Sequence, residues 1–372
     1  MLDAQYVDFW LPRVDSIPAA TSGHSMKNEV FEGLISQDVL FEVLESQATL
    51  DAVRAFLRSK KLPHSASSWK SMIETRVEPV LANGSVTVDE LIGLIREAEE
   101  HGSKHVRLFH YDVSNIDELK QAIEPQTVAA WAKGKGFPEV GEYVFAAFPE
   151  HPVVAEVRIG DGEDTDALII KIARTEYRRK RGVLTEYDGR QVYVSDRVPF
   201  RAVDVLKLHT SGLLEVRLNP RSEPPISYPG FAASVLSQLE GLINPTRIGE
   251  LSLSNAKNSF SDLQKKKEVA ENFELYETQH KNDRGDRIQS TSQADQGGIL
   301  ESDVMTEVIK QFTVGDPEAY CERVRVSYQF GEIKKINAIL SEDINEIIFT
   351  AGLSRQEFDA VLIAILKVNS EE

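Results

Sequence analysis

Apolar residues recur every three or four positions through the N-terminal part of the chain, the period of an amphipathic helix. Val39, Leu40, Val43 and Leu44 fall on one such face. Leu50, Val53, Phe56 and Leu57 fall on another, with Thr49 placed to cap that helix and Pro63 placed to stop it. A third helix has the strongest local signals: Thr87 and Glu90 form a T-x-x-E capping box, Val88, Leu91, Ile92, Ile95 and Ala98 line one face, and Gly102 ends it. After it, Val106, Leu108 and Phe109 predict a strand.

From 153 to 218 β-branched runs alternate with short turns. Strands are predicted at 153–159 and 167–173 around an acidic loop at 160–166, at 183–187 and 190–194 around Asp188-Gly189, and at 203–208 and 213–218 around Thr210-Ser211-Gly212. Asp-Gly supplies the positive φ angles of a type I′ hairpin turn. The six strands predict an antiparallel meander, open or partly closed into a barrel. Pro220, Pro224, Pro225 and Pro229 then punctuate the chain, and a helix is predicted over 231–243.

Residues 252–298 are rich in Ser, Asn, Gln, Lys and Asp, and 279–298 has few apolar positions, which predicts a long exposed hairpin or a mobile loop. Strands follow at 323–330, 336–340 and 346–350. A last helix opens on a Ser354/Glu357 capping box and buries Phe358, Val361, Leu362, Ile365 and Leu366. The expected fold class is therefore α+β, with a helical N-terminal region (1–125), a central antiparallel β-meander (126–222) and a C-terminal α+β domain (223–372) ending in a small β-β-β-α unit. No internal repeat of solenoid or propeller period is present.

A chain of 372 residues leads one to expect two or three compact units. Its 41% apolar and 27% charged content is close to that of globular proteins and excludes a wholly disordered, collagen-like or coiled-coil chain. A single cysteine, Cys321, cannot form an internal disulfide and has no zinc-site spacing. The first residues lack the basic start and apolar core of a signal peptide, and the longest apolar candidate, 358–368, is short and interrupted by Asp359 and Lys367. A cytoplasmic protein with no membrane segment is expected.

The formal net charge of −17 disfavours phosphate backbones over the molecule as a whole, so a nucleic-acid site has to be local. One segment departs from the average. Between 170 and 222, twelve Lys or Arg stand against six Asp or Glu, with Tyr177, Tyr187, Tyr193 and Phe200 interleaved. Cations bind phosphates, Arg through a bidentate fork, and aromatic faces on a sheet stack unpaired bases. Arg174, Arg178, Arg179, Lys180, Arg181, Arg190, Tyr193 and Arg197 are the contacts this pattern predicts for DNA or RNA. The competing readings of the same cations are a solvated turn, or partners for an acidic face of this chain or another.

Other constellations point less far. Asp204 and Glu215-Val-Arg217 on neighbouring predicted strands are similar to the Asp…Glu-x-Lys arrangement in which two carboxylates hold Mg²⁺ in many nucleases. Here Arg replaces Lys and cannot act as a base. His101, His105 and His110 have no acidic or cysteine ligand at zinc spacing and read as surface or half-buried side chains. Lys133-Gly-Lys-Gly136 lacks the phosphate-wrapping order and reads as a linker-type turn. No nucleophile elbow or dinucleotide fingerprint occurs, and no cofactor, metal or catalytic residue is implied. The sequence thus predicts a non-enzymatic nucleic-acid-associated protein whose terminal regions mediate assembly with a protein partner or a second copy, a profile that would suit a bacterial defence or genome-maintenance complex. The alternatives are a protein-interaction scaffold or regulator with an acidic surface, and a divergent metal-dependent nuclease using Asp204 and Glu215.

Overall fold

A computed structural model describes residues 36–112, 116–160, 167–179, 182–187, 190–194, 197–221, 226–262, 272–292, 298–332 and 334–370. In chain order the elements begin with α1 (Gln37–Gln47), α2 (Leu50–Ser59), α3 (Trp69–Met72), α4 (Glu78–Ala82), α5 (Val88–His101), β1 (Lys104–Tyr111), α6 (Ile116–Ala122) and α7 (Pro125–Lys135). The middle comprises β2 (Val153–Ile159), β3 (Ala167–Arg179), β4 (Val183–Tyr187), β5 (Arg190–Val194), β6 (Arg197–His209) and β7 (Leu213–Leu218). Beyond these lie α8 (Tyr228–Leu236), β8 (Ile248–Glu250), α9 (Ser254–Ser261), β9 (Phe273–Lys281), β10 (Arg287–Thr291), α10 (Asp303–Gly315), β11 (Tyr320–Phe330), β12 (Lys334–Leu340), β13 (Glu346–Phe349) and α11 (Arg355–Ser370).

The local signals operate as expected. Thr49 Oγ1 accepts the Ala52 N–H ahead of α2, and both halves of the Thr87/Glu90 box form ahead of α5. Glu357 accepts the Ser354 N–H and Ser354 the Glu357 N–H ahead of α11. Lys133-Gly-Lys-Gly136 is not a linker turn. It is the last turn of α7, which Gly136 ends at φ +71° by donating its N–H to the Ala132 and Lys133 carbonyls. α8 starts earlier than the predicted helix because Ser227 caps it, and it gives way to a 3₁₀ turn at Ser237–Leu239.

Strands join into one antiparallel sheet in the order β10-β9-β11-β12-β13-β1-β7-β6-β3-β2, with β8 added to the end of β1 and β4–β5 as a separate ribbon. β1 lies between β13 and β7, so strands from all three predicted segments share a single sheet, and Gln37–Glu372 forms one compact unit. The β-β-β-α unit is present as β11, β12, β13 and α11. β9 and β10 form a hairpin whose tip and second strand are largely exposed, as expected for that stretch, whereas β9 is buried because it pairs on both sides, with β10 and β11; residues 293–297 lie outside the described residues.

The two faces of the sheet carry different cores. On one, Val157, Leu168, Ile170, Leu206 and Val216 pack beneath Val128, Trp131 and Val235 of α7 and α8. On the other, Val106, Val324, Ala338 and Ile347 pack beneath Phe260 of α9 and Phe358, Val361 and Ile365 of α11. α1 and α5 cover that second face over β6 and its neighbours, where the core becomes ionic.

Candidate functional site

The sheet divides the basic segment into an internal set and an outer set. Lys171, Arg201 and Arg217 lie on the face covered by α5 and are fully buried. Opposite them, the last turn of α5 buries Glu99 and Glu100. Arg158 of β2 grips Glu100 with two nitrogens at 2.8 Å each and reaches Glu156 at 2.9 Å. Lys171 Nζ lies 2.7 Å from Glu100 and 3.3 Å from Glu156, while Arg201 Nε donates to Glu99 at 2.8 Å. Tyr143 donates its hydroxyl to Glu99 at 2.9 Å, and Arg96 closes the set on Glu156.

This arrangement fixes the charge states. Burial alone would raise the Glu100 carboxyl, but Lys171 and Arg158 override it and hold Glu100 well below the ordinary carboxylate range. Glu156 is lowered against its burial by Arg96, Lys171 and Arg158, and Glu215 against its burial by Arg217 and His209. Two carboxylates at the C-terminal end of α5 oppose the helix dipole. The strand cations beneath them supply the compensation. Arg96, Glu100 and Arg158 also border an open cleft of about 840 Å³, yet there their charges are already matched to one another.

On the opposite face Asp204 accepts from Arg174, from Arg221 at 3.0 Å and from the Asn219 N–H at 3.1 Å, and Glu176 takes a second nitrogen from both arginines. Glu215 faces the other way, bound by Arg217 at 2.7 Å and His209 at 2.7 Å. Residues 204 and 207 alternate across the sheet, and Lys207 is the register partner of Glu215. The two carboxylates that would have held a nuclease metal therefore do not converge. Among the described residues no three His, Cys, Asp or Glu side chains are grouped as metal ligands.

The outer set stands on an arm. β3 pairs with β2 only as far as Ala173, and β6 pairs with β7 only from Val205 onward. From Arg174 to Arg179 and from Arg197 to Ala202 the two strands have each other as ladder partners, and Arg179 and Arg197 are the outermost pair among the described residues. Alternation puts Tyr177, Arg179 and Arg197 on one side of this arm and Arg178 and Phe200 on the other. Arg197 lies 4.2 Å from the centre of the Tyr177 ring, and Arg178 lies 5.9 Å from that of Phe200. Arg178, Arg179 and Arg197 are exposed, and Tyr177 is 37% exposed.

Of the predicted contacts, the structure thus brings Arg178, Arg179 and Arg197 together and turns Arg174 inward onto Asp204 and Glu176. Arg190 and Tyr193 belong to β5, next in the chain beyond the arm, while Lys180, Arg181 and the acidic loop at 161–166 lie outside the described residues. The histidines also part company. His101 is buried, against expectation, and its pKa falls to about 3 through burial and the nearby Arg217. His105 is stacked on Tyr228 with Nδ1 2.9 Å from Glu346, and His110 is exposed. Cys321 is buried, which pushes its thiol up to about 12. What the sequence reading missed is the Glu99-Glu100-His101 triplet. Its only signal was the continuation of charged residues onto the apolar face of α5, with Glu99 four positions beyond Ile95 and Glu100 next to it. Compared with known proteins, the sequence matches no protein-family model and no curated protein.

Proposed function

We propose that the protein is a non-enzymatic, cytoplasmic nucleic-acid binder whose phosphate-contacting element is the outer end of the β3–β6 arm. The observation that carries this reading is the contrast in burial between the cations inside the sheet and those exposed on the arm. Lys171, Arg174, Arg201, Arg217 and Arg221 all meet the chain's own carboxylates. Arg178, Arg179 and Arg197 are exposed where β3 and β6 have outrun β2 and β7, two of them beside aromatic rings. A two-stranded ribbon fits the width of a duplex major groove. Rings beside guanidinium groups provide stacking surface for unpaired bases. The sequence continues the same charge through Lys180 and Arg181.

The test is a gel-shift titration with labelled duplex DNA, single-stranded DNA and RNA at two salt concentrations. Affinity is expected to fall steeply with salt. The combined Arg178→Ala, Arg179→Ala and Arg197→Ala substitution is expected to weaken binding across sequences and to make the log–log salt slope shallower by about 2–3 on duplex DNA, roughly 0.9 per lost phosphate contact. Absence of a shift at low salt, or a shift untouched by the triple substitution, would refute the proposal and leave an acidic protein partner as the reading to pursue.

A further inference from the structure

At the other end of the sheet a cavity of about 630 Å³ lies between α9, α10 and the start of β11. His280 of β9 and its register partner Cys321 of β11 line it. His280 is only 1% exposed, and neither of its ring nitrogens has a hydrogen-bond partner among the described residues. Burial lowers its pKa to about 4, so at neutral pH the ring is uncharged, with one N–H to give and one lone pair to fill. Buried polar side chains are normally satisfied, and one left with two unmet valences marks a place where a missing partner belongs.

The remaining lining defines that partner. Among the described residues, Asp303 and Glu307 contribute two carboxylates against the ammonium of Lys310, and Ile309 with Cys321 supplies apolar surface. The volume is that of a small-molecule site. α10 forms one wall and is anchored by two side chains, the buried Ile309 and the partly buried Met305, whereas Val304 and Val314 are about three-quarters exposed. A wall with so few buried contacts opens at little free-energy cost, which gives a ligand a way to the ring.

We propose that this cavity binds a small organic cation, an amine or a guanidine. Its N–H groups are received by the side-wall carboxylates and the His280 lone pair, and its methylenes rest against Ile309 and Cys321. An anionic ligand would meet the like charges of Asp303 and Glu307, and an apolar one would leave the His280 lone pair unfilled.

Isothermal calorimetry on the full chain tests this with putrescine and agmatine as probes and succinate as the anionic counterpart. Saturable one-site binding of at least one cation, and none of succinate, is expected. Glu307→Gln, at an exposed position, and His280→Gln should each weaken that binding at least about tenfold, a loss of roughly 1.4 kcal/mol. Should His280→Gln fail to fold, the ¹⁵N shifts of the His280 ring in the unaltered protein report the same contact and should move on titration. No heat with either cation, binding of succinate instead, or cation binding that is indifferent to Glu307→Gln and leaves the His280 ring shifts in place overturns the proposal.

Discussion

Arg158 is held between two buried carboxylates, Glu100 and Glu156, and its removal would leave both to share Lys171, with Arg96 remaining on Glu156. Breaking a buried ion pair from one side is far more damaging than replacing the whole pair with apolar groups, because the surviving charge stays desolvated. Arg158→Ala is therefore expected to destabilise the protein by about 3–5 kcal/mol, read as a fall in the urea midpoint at neutral pH. A loss below about 1 kcal/mol, the value of an exposed pair, would show that the network is hydrated. The same cluster sets a pH dependence. His101, with its pKa lowered to about 3, binds its proton later in the folded state than in the unfolded chain, whose histidines titrate near about 6.5. Its contribution is present above about pH 6.5 and is lost as pH falls toward 3, at about 1.4 kcal/mol per pH unit inside that window. Glu100, Glu156 and Glu215, all lowered, add a second loss below their ordinary value of about 4.3. Urea titrations between pH 7.5 and 4 should show stability declining with pH, and His101→Gln should flatten the upper part of that decline. A profile flat down to pH 4.5 would contradict the assignment.

At the scale of elements, β3 and β6 do two jobs in succession. Their inner halves are sheet strands with partners on both sides, burying Ile170, Ala173, Val205 and Leu206. Their outer halves lose those partners and become the arm. The sequence marked the inner halves accurately, at 167–173 and 203–208, because there every residue is apolar or internally paired. The extensions to Arg179 and back to Arg197 were not legible, since charged and aromatic residues in alternation look alike in a strand, a turn or a loop. α10 was legible but passed over: Met305, Val308, Ile309 and Phe312 recur at the helical period and Ser302 caps the helix, yet they directly follow the polar stretch 252–298. β9 escaped detection because its inward positions include Thr278 and His280, polar residues that the polar composition of 252–298 concealed. The salt-slope experiment acts on this scale, because the three arginines derive their position from the arm and not from any cluster within the sheet proper.

For the whole molecule, the continuous sheet has a thermodynamic consequence. β1 is hydrogen-bonded to β13 on one side and β7 on the other, so neither half of the sheet can unfold without exposing the edge of the other. Residues 37–372 are expected to unfold in one cooperative transition, with far-UV circular dichroism and intrinsic fluorescence giving coincident curves. Two resolved transitions would instead favour independent units divided at the proline cluster. What the sequence by itself determined was local: helix starts at Thr49, Thr87 and Ser354, the strand positions of the meander, the α+β class and the existence of a basic segment in an acidic chain. These depend on capping, periodicity and composition, which act over a few residues. Only the tertiary structure decided which strands are neighbours and which of the twelve cations are spent inside. Register brings Glu99 and Glu100 over Lys171 and Arg201, separated by about seventy to a hundred positions in the chain, and it sends Asp204 and Glu215 to opposite faces. Charge carries no direction until a sheet assigns each side chain to one face, and that assignment turned a net-basic stretch into a buried ionic core and an exposed arm.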